Sequence, residues 1–212
     1  KGKPVSKIFG FKEFFSNDFI VNKNVLDPRP ETELLVELTI KNLLKKKDKK
    51  ISLLELGVGS GCLIISILLS LKKNKVSALA VDISNKALDI AGKNIKKFNL
   101  EKKLELKKSD WFSDIHEKFD IIISNPPYIK TADIKNLDKE VKFYDPLIAL
   151  NGGFNGLRCF NRIATDAKFH LKQDGIILLE IGFGQLNSVK RIFEKMDYKI
   201  FLKEKDLQGI IR

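Results

Sequence analysis

From Ile51 onward, short runs of Ile, Leu and Val alternate with stretches whose apolar positions recur at helical spacing. The order is ISLLELGVG, helix CLIISILLSLKK, strand VSALAVDIS, helix NKALDIAGKNIKKF, strand KLELKKS and then FDIIISNPP. After a long loop come a helix near FNGLRCFNRIATDAKFHLK, strand GIILLEIG, a helix near QLNSVKRIFEKM, and the strands YKIFLK and GIIR. Ahead of all this, ETELLVELTIKNLLKKK has Leu34, Leu35, Leu38 and Leu43 at helical spacing, with Glu31 and Glu33 where carboxylates complement a helix dipole. Near-continuous apolar strands separated by helices predict an α/β, doubly wound fold with a parallel sheet covered on both faces. Ligands of such sheets bind beyond the carboxyl ends of the strands, where strand order reverses. The residues to inspect are therefore Glu55 to Gly61, Asp82, Asp110 with Trp111, and Asn125 to Tyr128.

The chain has 212 residues and 43% hydrophobic content, enough for one substantial core. No apolar run approaches the roughly 18 residues of a membrane span, and the basic opening lacks the apolar stretch and cleavage site of a secretory signal, so a soluble, cytoplasmic protein is expected. Cys62 and Cys159 lie far apart within apolar helical patterns, which reads as small buried hydrophobes and not as metal ligands. The net charge of +12 raises the question of a nucleic-acid partner. All but five of the 39 basic residues are lysines spread along the chain, and the KKKDKK run reads as a solvated connector, so direct nucleic-acid binding is not expected.

Glu55-Leu56-Gly57-Val58-Gly59-Ser60-Gly61 lies between a strand and a helix. Glycine lets a ligand rest against bare backbone. The loop differs from the dinucleotide pattern and lacks the Lys-Ser/Thr ending of a phosphate-binding loop. Asp82 ends the next strand about 20 residues on, where a carboxylate can accept both hydroxyls of a ribose. Asp110 and Trp111 end a third strand and can hydrogen-bond and pack against an adenine. A carboxylate at Glu55 repels phosphate and suits a cationic amino group. This set points to S-adenosylmethionine over NAD or ATP, and here the chain resembles the seven-stranded Rossmann-like S-adenosylmethionine-dependent methyltransferases, whose mostly parallel sheet ends in an antiparallel strand. The resemblance implies that Glu55, Leu56, Gly57, Val58 and Gly59 border the cofactor's methionine moiety, Asp82 its ribose, and Asp110 and Trp111 its adenine, with Asn125 at the reacting end.

In FDIIISNPPYI an apolar strand runs into Asn125-Pro126-Pro127-Tyr128. The Asn125 side-chain oxygen and the Pro126 carbonyl can each bind one hydrogen of a planar NH2 group, aligning a delocalised lone pair that is otherwise a poor nucleophile. The prolines hold those carbonyls in place, and Tyr128 offers a flat face that tolerates developing positive charge. The motif specifies a planar sp2 nitrogen but does not separate glutamine from adenine or guanine.

The segment PVSKIFGFKEFFSNDFIVNKNVLDPRPETELLVE, with EVKFYDPLIALNGGFNGL, LLEIGFGQ and the terminal KDLQGIIR, resembles the release factor glutamine N5-methyltransferases, the HemK/PrmC family. The resemblance covers nearly the whole chain. It implies a connecting hairpin region over 1–30 and a methyltransferase domain over 31–212. It also implies a peptide-chain release factor as substrate, methylated on the glutamine of its Gly-Gly-Gln loop in support of translation termination. Asn125, Pro126 and Tyr128 are then catalytic, Pro127 completes the amide pocket, and Arg29 and Glu31 lie near its mouth. The family normally carries a small helical domain ahead of this region. Val58 stands where Thr is usual, and Asp27 where an aliphatic residue usually precedes PRPETE. Two other substrates use the same pocket, an exocyclic amine of a DNA or RNA base and a ribosomal-protein glutamine. A non-catalytic RNA-binding module sharing the fold has no use for the cofactor residues.

Overall fold

The computed structural model describes residues 2–44, 50–71, 76–206 and 208–211. Most of the KKKDKK connector, residues 45–49, lies outside them.

The chain opens with α1 (Val5–Phe9) and an antiparallel hairpin of β1 (Phe11–Phe14) and β2 (Asn17–Ile20). Phe15 and Ser16 form its tip at φ 48° and 58°, the left-handed pair that a two-residue hairpin turn demands. Glu33 Oε1 accepts from Phe15 N at 2.8 Å and so ties this turn to the helix that follows. That helix, α2 (Glu33–Leu44), is preceded by a 3₁₀ turn at Pro30–Thr32, because proline has the φ of a first helical residue and needs no amide partner there.

Then come β3 (Ile51–Leu56), α3 (Cys62–Ser70), β4 (Val76–Asp82), α4 (Asn85–Lys97), β5 (Leu104–Lys108) and β6 (Phe119–Ser124). The short α5 (Lys139–Tyr144) lies in the long loop, followed by α6 (Arg158–His170), β7 (Leu171–Leu179) and α7 (Leu186–Glu194). The five strands β3 to β7 form one parallel sheet in the order β5-β4-β3-β6-β7. Strand order reverses between β3 and β6, so the ligand crevice belongs at their carboxyl ends.

The unbroken apolar runs are explained by burial on both faces. Ile51, Leu53, Ile121 and Ile123 join a core with Leu35, Val36 and Leu43 of α2 and Ile64 and Ile67 of α3. Their neighbours Leu54, Leu56 and Ile122 join a second core with Phe160 and Ile163 of α6 and Val189 and Phe193 of α7. Each such side chain contributes about 1.5–3 kcal/mol when fully buried.

The expected count of seven strands is not confirmed. Among the described residues the sheet has five strands; YKIFLK forms no strand, and the terminal GIIR contributes only an isolated antiparallel bridge between Ile211 and Lys205. Asp206 takes their place as an organiser. Its carboxylate accepts from Gln208 N and Ile210 N, and its backbone pairs with Ile210 O and Gly209 N, so donors that a ladder needs are spent in a local turn. Phe201 is left exposed. Two boundaries also move. α6 begins at Arg158 because the glycine-rich segment 152–156 is held in a loop, and β7 begins at Leu171, directly after the helix.

Candidate active site

Glu55 is the penultimate residue of β3 and is 3% exposed. Gly61, which precedes α3, supplies no side-chain cap, and Glu55 Oε2 fills that role by accepting from Ile64 N at 3.2 Å. Burial raises the Glu55 carboxyl well above its ordinary value, the Ile64 amide opposes this, and the charge of Asp82 adds to the rise. An acid buried beside a helix start, with no cation against it among the described residues, fits a positively charged ligand group.

The loop after β3 is set by its backbone. Gly57 N and Val58 N both donate to Val81 O, at 2.9 and 3.0 Å. Gly57 and Gly59 have φ of 75° and 54°, and a Cβ added at either would meet nothing within 4 Å, so the space over this turn is open to a ligand. The side chains of Leu56 and Val58 are buried in the core and offer a ligand only backbone. Gly61 is different, since a Cβ there lies 3.0 Å from Ile65 Cδ1 and close to Ala91, which makes it a packing glycine.

Asp82 ends β4. Its Oδ2 accepts from Gly59 N at 3.0 Å and its Oδ1 from Ser84 N at 2.9 Å. Ser84 in turn caps α4. Burial raises the Asp82 carboxyl, and the Ser84 and Gly59 amides oppose that. Beyond β5, Ser109 N donates to Asp82 O at 3.1 Å, which brings Asp110 and Trp111 to the same edge. Asp110 is exposed, while Trp111, at φ 56°, is partly buried against the second core.

Asn125-Pro126-Pro127-Tyr128 follows β6 directly, and Ser124 Oγ donates to Leu56 O at 2.7 Å, locking the ends of β6 and β3 side by side. Asn125 Nδ2 donates to Thr32 Oγ1 at 2.9 Å, Thr32 Oγ1 donates to Glu180 Oε2 at 2.6 Å, and Tyr128 Oη donates to Glu180 Oε1 at 3.3 Å. Glu180 N donates to Ser124 O at 3.1 Å, so this carboxylate stands at the end of β7, level with the motif. Gln185 fixes the far end by donating to Tyr128 O at 3.1 Å and to Gly156 O at 3.2 Å.

The strand-end residues thus gather at one edge of the sheet, as β3, β4, β6 and β7 bring them there. Arg29 is placed differently. Its Nη2 pairs with Asp145 Oδ2 at 2.6 Å, within a buried cluster in which Lys7 Nζ reaches Asp27 Oδ1 at 2.7 Å and Asp145 Oδ1 at 3.2 Å. This explains Asp27 before Pro28: a buried acid needs a cation, and Lys7 supplies it. Arg29 also lines a cleft of about 410 Å³ with Phe11, Glu13 and Glu140. Glu31, half-buried, sits in the 3₁₀ turn beside Thr32.

Sequence reading missed Thr32, Asn94, Glu180 and Gln185. Glu180 ends an apolar run just as Glu55 and Asp82 do, so the same strand-end rule finds it. Asn94, fully buried, donates to Ser60 O and Ile20 O and accepts from Ile20 N, tying the glycine loop to the hairpin. Nothing in its local sequence signals that role.

Desolvation raises both thiols, Cys62 to about 12. Among the described residues no group of three or more His, Cys, Asp and Glu is placed to hold a metal, and no helix is long and apolar enough to cross a membrane.

Residues 25–141 match the family described as methyltransferase small domain. The chain is 38% identical to the release factor glutamine methyltransferase of Agrobacterium fabrum, over 99% of this chain and 72% of that protein. It is 39% identical to the bifunctional methyltransferase of Rickettsia felis, over 99% of this chain but only 44% of that longer protein. Among solved structures, a release factor-specific protein-(glutamine-N5) methyltransferase of Alicyclobacillus acidocaldarius is similar at 29% identity and a TM-score of 0.51, over 87% of this chain and 90% of that one.

Proposed function

The chain belongs to the family of release factor glutamine methyltransferases, and on that premise we propose that it methylates the side-chain amide nitrogen N5 of the glutamine in the Gly-Gly-Gln loop of a peptide-chain release factor. The methyl donor in this reading is S-adenosylmethionine, whose sulfonium supplies an electrophilic methyl group. Glu55 suits the donor's ammonium, the bare turn at Gly57 and Gly59 its amino-acid portion, Asp82 the ribose hydroxyls, and Asp110 with Trp111 the adenine.

The observation that carries the substrate reading is the rigid Asn125-Pro126-Pro127-Tyr128 segment at the end of β6, braced by Thr32, Glu180 and Gln185. Asn125 Oδ1 and the Pro126 carbonyl accept the two hydrogens of the glutamine amide. That fixes the plane of the amide so that the nitrogen lone pair faces the methyl group, and the acceptors need no further ordering during reaction. Tyr128 lies flat against the amide and tolerates positive charge building on nitrogen. The nitrogen sheds its proton after transfer, so no base must act first.

A macromolecular substrate is supported by the apolar rim. Phe154 and Phe183 are 95% and 80% exposed, and their loops are joined at Gln185, which bonds Gly156 O and Gly182 N. Phe143, Leu147 and Ile148 extend the exposed apolar surface along the loop between Tyr128 and α6. Such surface on loops marks protein contact.

The test is methyl transfer from labelled S-adenosylmethionine to purified release factor, to its Gln→Ala loop variant, and to total RNA and DNA. Label on the intact factor alone is expected. Label on nucleic acid assigns the pocket to a base amine, and no label on any of the three overturns the reading.

A further inference from the structure

Thr32 is 4% exposed and its hydroxyl stands between two functional groups, Glu180 Oε2 at 2.6 Å and Asn125 Nδ2 at 2.9 Å. A carboxylate only accepts hydrogen bonds, so the single hydroxyl proton of Thr32 goes to Glu180. What Thr32 then turns toward Asn125 is a lone pair. Only the NH2 end of the Asn125 amide can meet it. The opposite orientation sets oxygen against oxygen in a part-buried contact, where neither lone pair has a proton to meet. Asn125 Oδ1 is left pointing away, without a hydrogen-bond partner among the described residues and not among the atoms buried unpaired. Glu180 is itself 3% exposed, and its second oxygen accepts from Tyr128 Oη, so one carboxylate governs both ends of the motif.

We propose that Thr32 and Glu180 are positioning residues that fix which way round the Asn125 amide stands, presenting Oδ1 and never Nδ2 to the substrate nitrogen. The proposal rests on reading Asn125 as a ligand of the acceptor amide. An asparagine side chain has two orientations of nearly equal shape, and only one can accept a substrate N–H. With Nδ2 outward, donor faces donor and the lone pair of the acceptor is not aligned. Neither residue touches substrate; each acts through Asn125, and Glu180 also through Tyr128.

The test uses Thr32→Val, which keeps shape and removes the hydroxyl, Thr32→Ser, which restores it, and Glu180→Gln, whose NH2 can donate to Thr32 and reverse the hydroxyl. T32V is expected to lower kcat on release factor by about 10- to 100-fold while KM and cofactor Kd stay within about twofold of wild type. T32S is expected to regain most of the rate. E180Q is expected to match T32V, and the double variant to be no worse than either single one, because the residues act in series. A second readout is the side-chain amide signal of Asn125 in nitrogen-15 spectra, assigned by its absence in N125A; its slow hydrogen exchange should be lost in T32V and E180Q. That measurement needs no substrate. A wild-type protein inactive on release factor whose Asn125 signal still responds refutes the substrate reading and leaves the orienting pair standing. An active wild type with unaltered kcat and an unaltered Asn125 signal in T32V, or in E180Q should T32V fail to fold, overturns the proposal, as does a loss that T32S does not recover.

Discussion

Gly59 N donates to Asp82 Oδ2 at 3.0 Å, so the carboxylate that ends β4 also shapes the glycine turn that follows β3. The other oxygen, Oδ1, accepts from Ser84 N at the start of α4. Each oxygen retains a lone pair, so the group can brace the loop and still accept ribose hydroxyls. In Asp82→Asn one of these positions becomes an NH2 facing a backbone N–H, and the turn loosens as the ribose acceptor is lost. Cofactor Kd, measured by calorimetry, is expected to rise about 10- to 100-fold, equivalent to roughly 1.4–2.8 kcal/mol, with the circular dichroism spectrum unchanged. An unaltered Kd removes Asp82 from the cofactor site.

Asn125→Ala separates binding from chemistry. It deletes the acceptor proposed to align the glutamine amide but leaves Glu55, Asp82 and the glycine turn as they are. kcat is expected to fall on the order of 10²- to 10³-fold, the scale seen when one preorganised polar group is removed from a reacting centre, while cofactor Kd shifts less than about twofold. Full activity in N125A sinks the amide-pocket mechanism.

The sheet and most of this edge were legible because their signals are local. Ile121-Ile122-Ile123 reads as a strand buried on both faces, and it is one. Glu55, Asp82 and Asn125 announce themselves as polar residues ending such runs. What was not legible depends on pairs distant in sequence. Thr32 meets Glu180 across 148 positions and Asn125 across 93. Asn94 meets Ser60 across 34 and Ile20 across 74, with no periodicity to reveal it. The terminal GIIR looks like a strand by composition, yet a strand exists only when a neighbour accepts its ladder, and the Asp206 turn takes the Gly209 and Ile210 donors first.

Glu55 predicts a pH dependence whose sign follows from its raised carboxyl. Burial is the main cause, against an ordinary value of 4.5. A carboxyl raised in the folded state contributes stability that is fully present below the unfolded value and is lost as pH rises through the folded one. Without cofactor, wild type should therefore lose Tm relative to Glu55→Gln as pH is raised from about 5 to about 8, with Asp82 common to both proteins. Binding of a cation beside Glu55 should release a proton, seen as a binding enthalpy that varies with the ionisation enthalpy of the buffer in wild type but not in E55Q. Parallel Tm curves for the two proteins show that Glu55 is already ionised in the folded chain.

Gly152 predicts a steric effect on the amide pocket from outside it. A Cβ there lies 2.8 Å from Pro127 O and from Tyr128 Cα, and 2.9 Å from Gly156 O, all backbone atoms that cannot swing aside. The contact is reinforced on both sides, since Gly152 N donates to Ile129 O at 2.8 Å and Ile129 N to Leu150 O at 3.0 Å. Gly152→Ala must push residues 150–156 away from 127–129, at about 1–3 kcal/mol for overpacking, or a Tm loss of roughly 2–4 °C for each kcal/mol in a chain of this size. Because the displaced segment carries Pro127 and Tyr128, kcat should fall with it. Gly92→Ala is the control: it lies within α4, its added Cβ meets only Leu106 Cδ1 at 3.8 Å, and it should raise stability by about 0.5–1 kcal/mol at unchanged kcat. If G152A lowers Tm but keeps its kcat per folded molecule, the loop stabilises the protein without shaping the pocket, and the rigidity assigned to Asn125-Pro126-Pro127-Tyr128 must come from the prolines and the bracing by Thr32, Glu180 and Gln185.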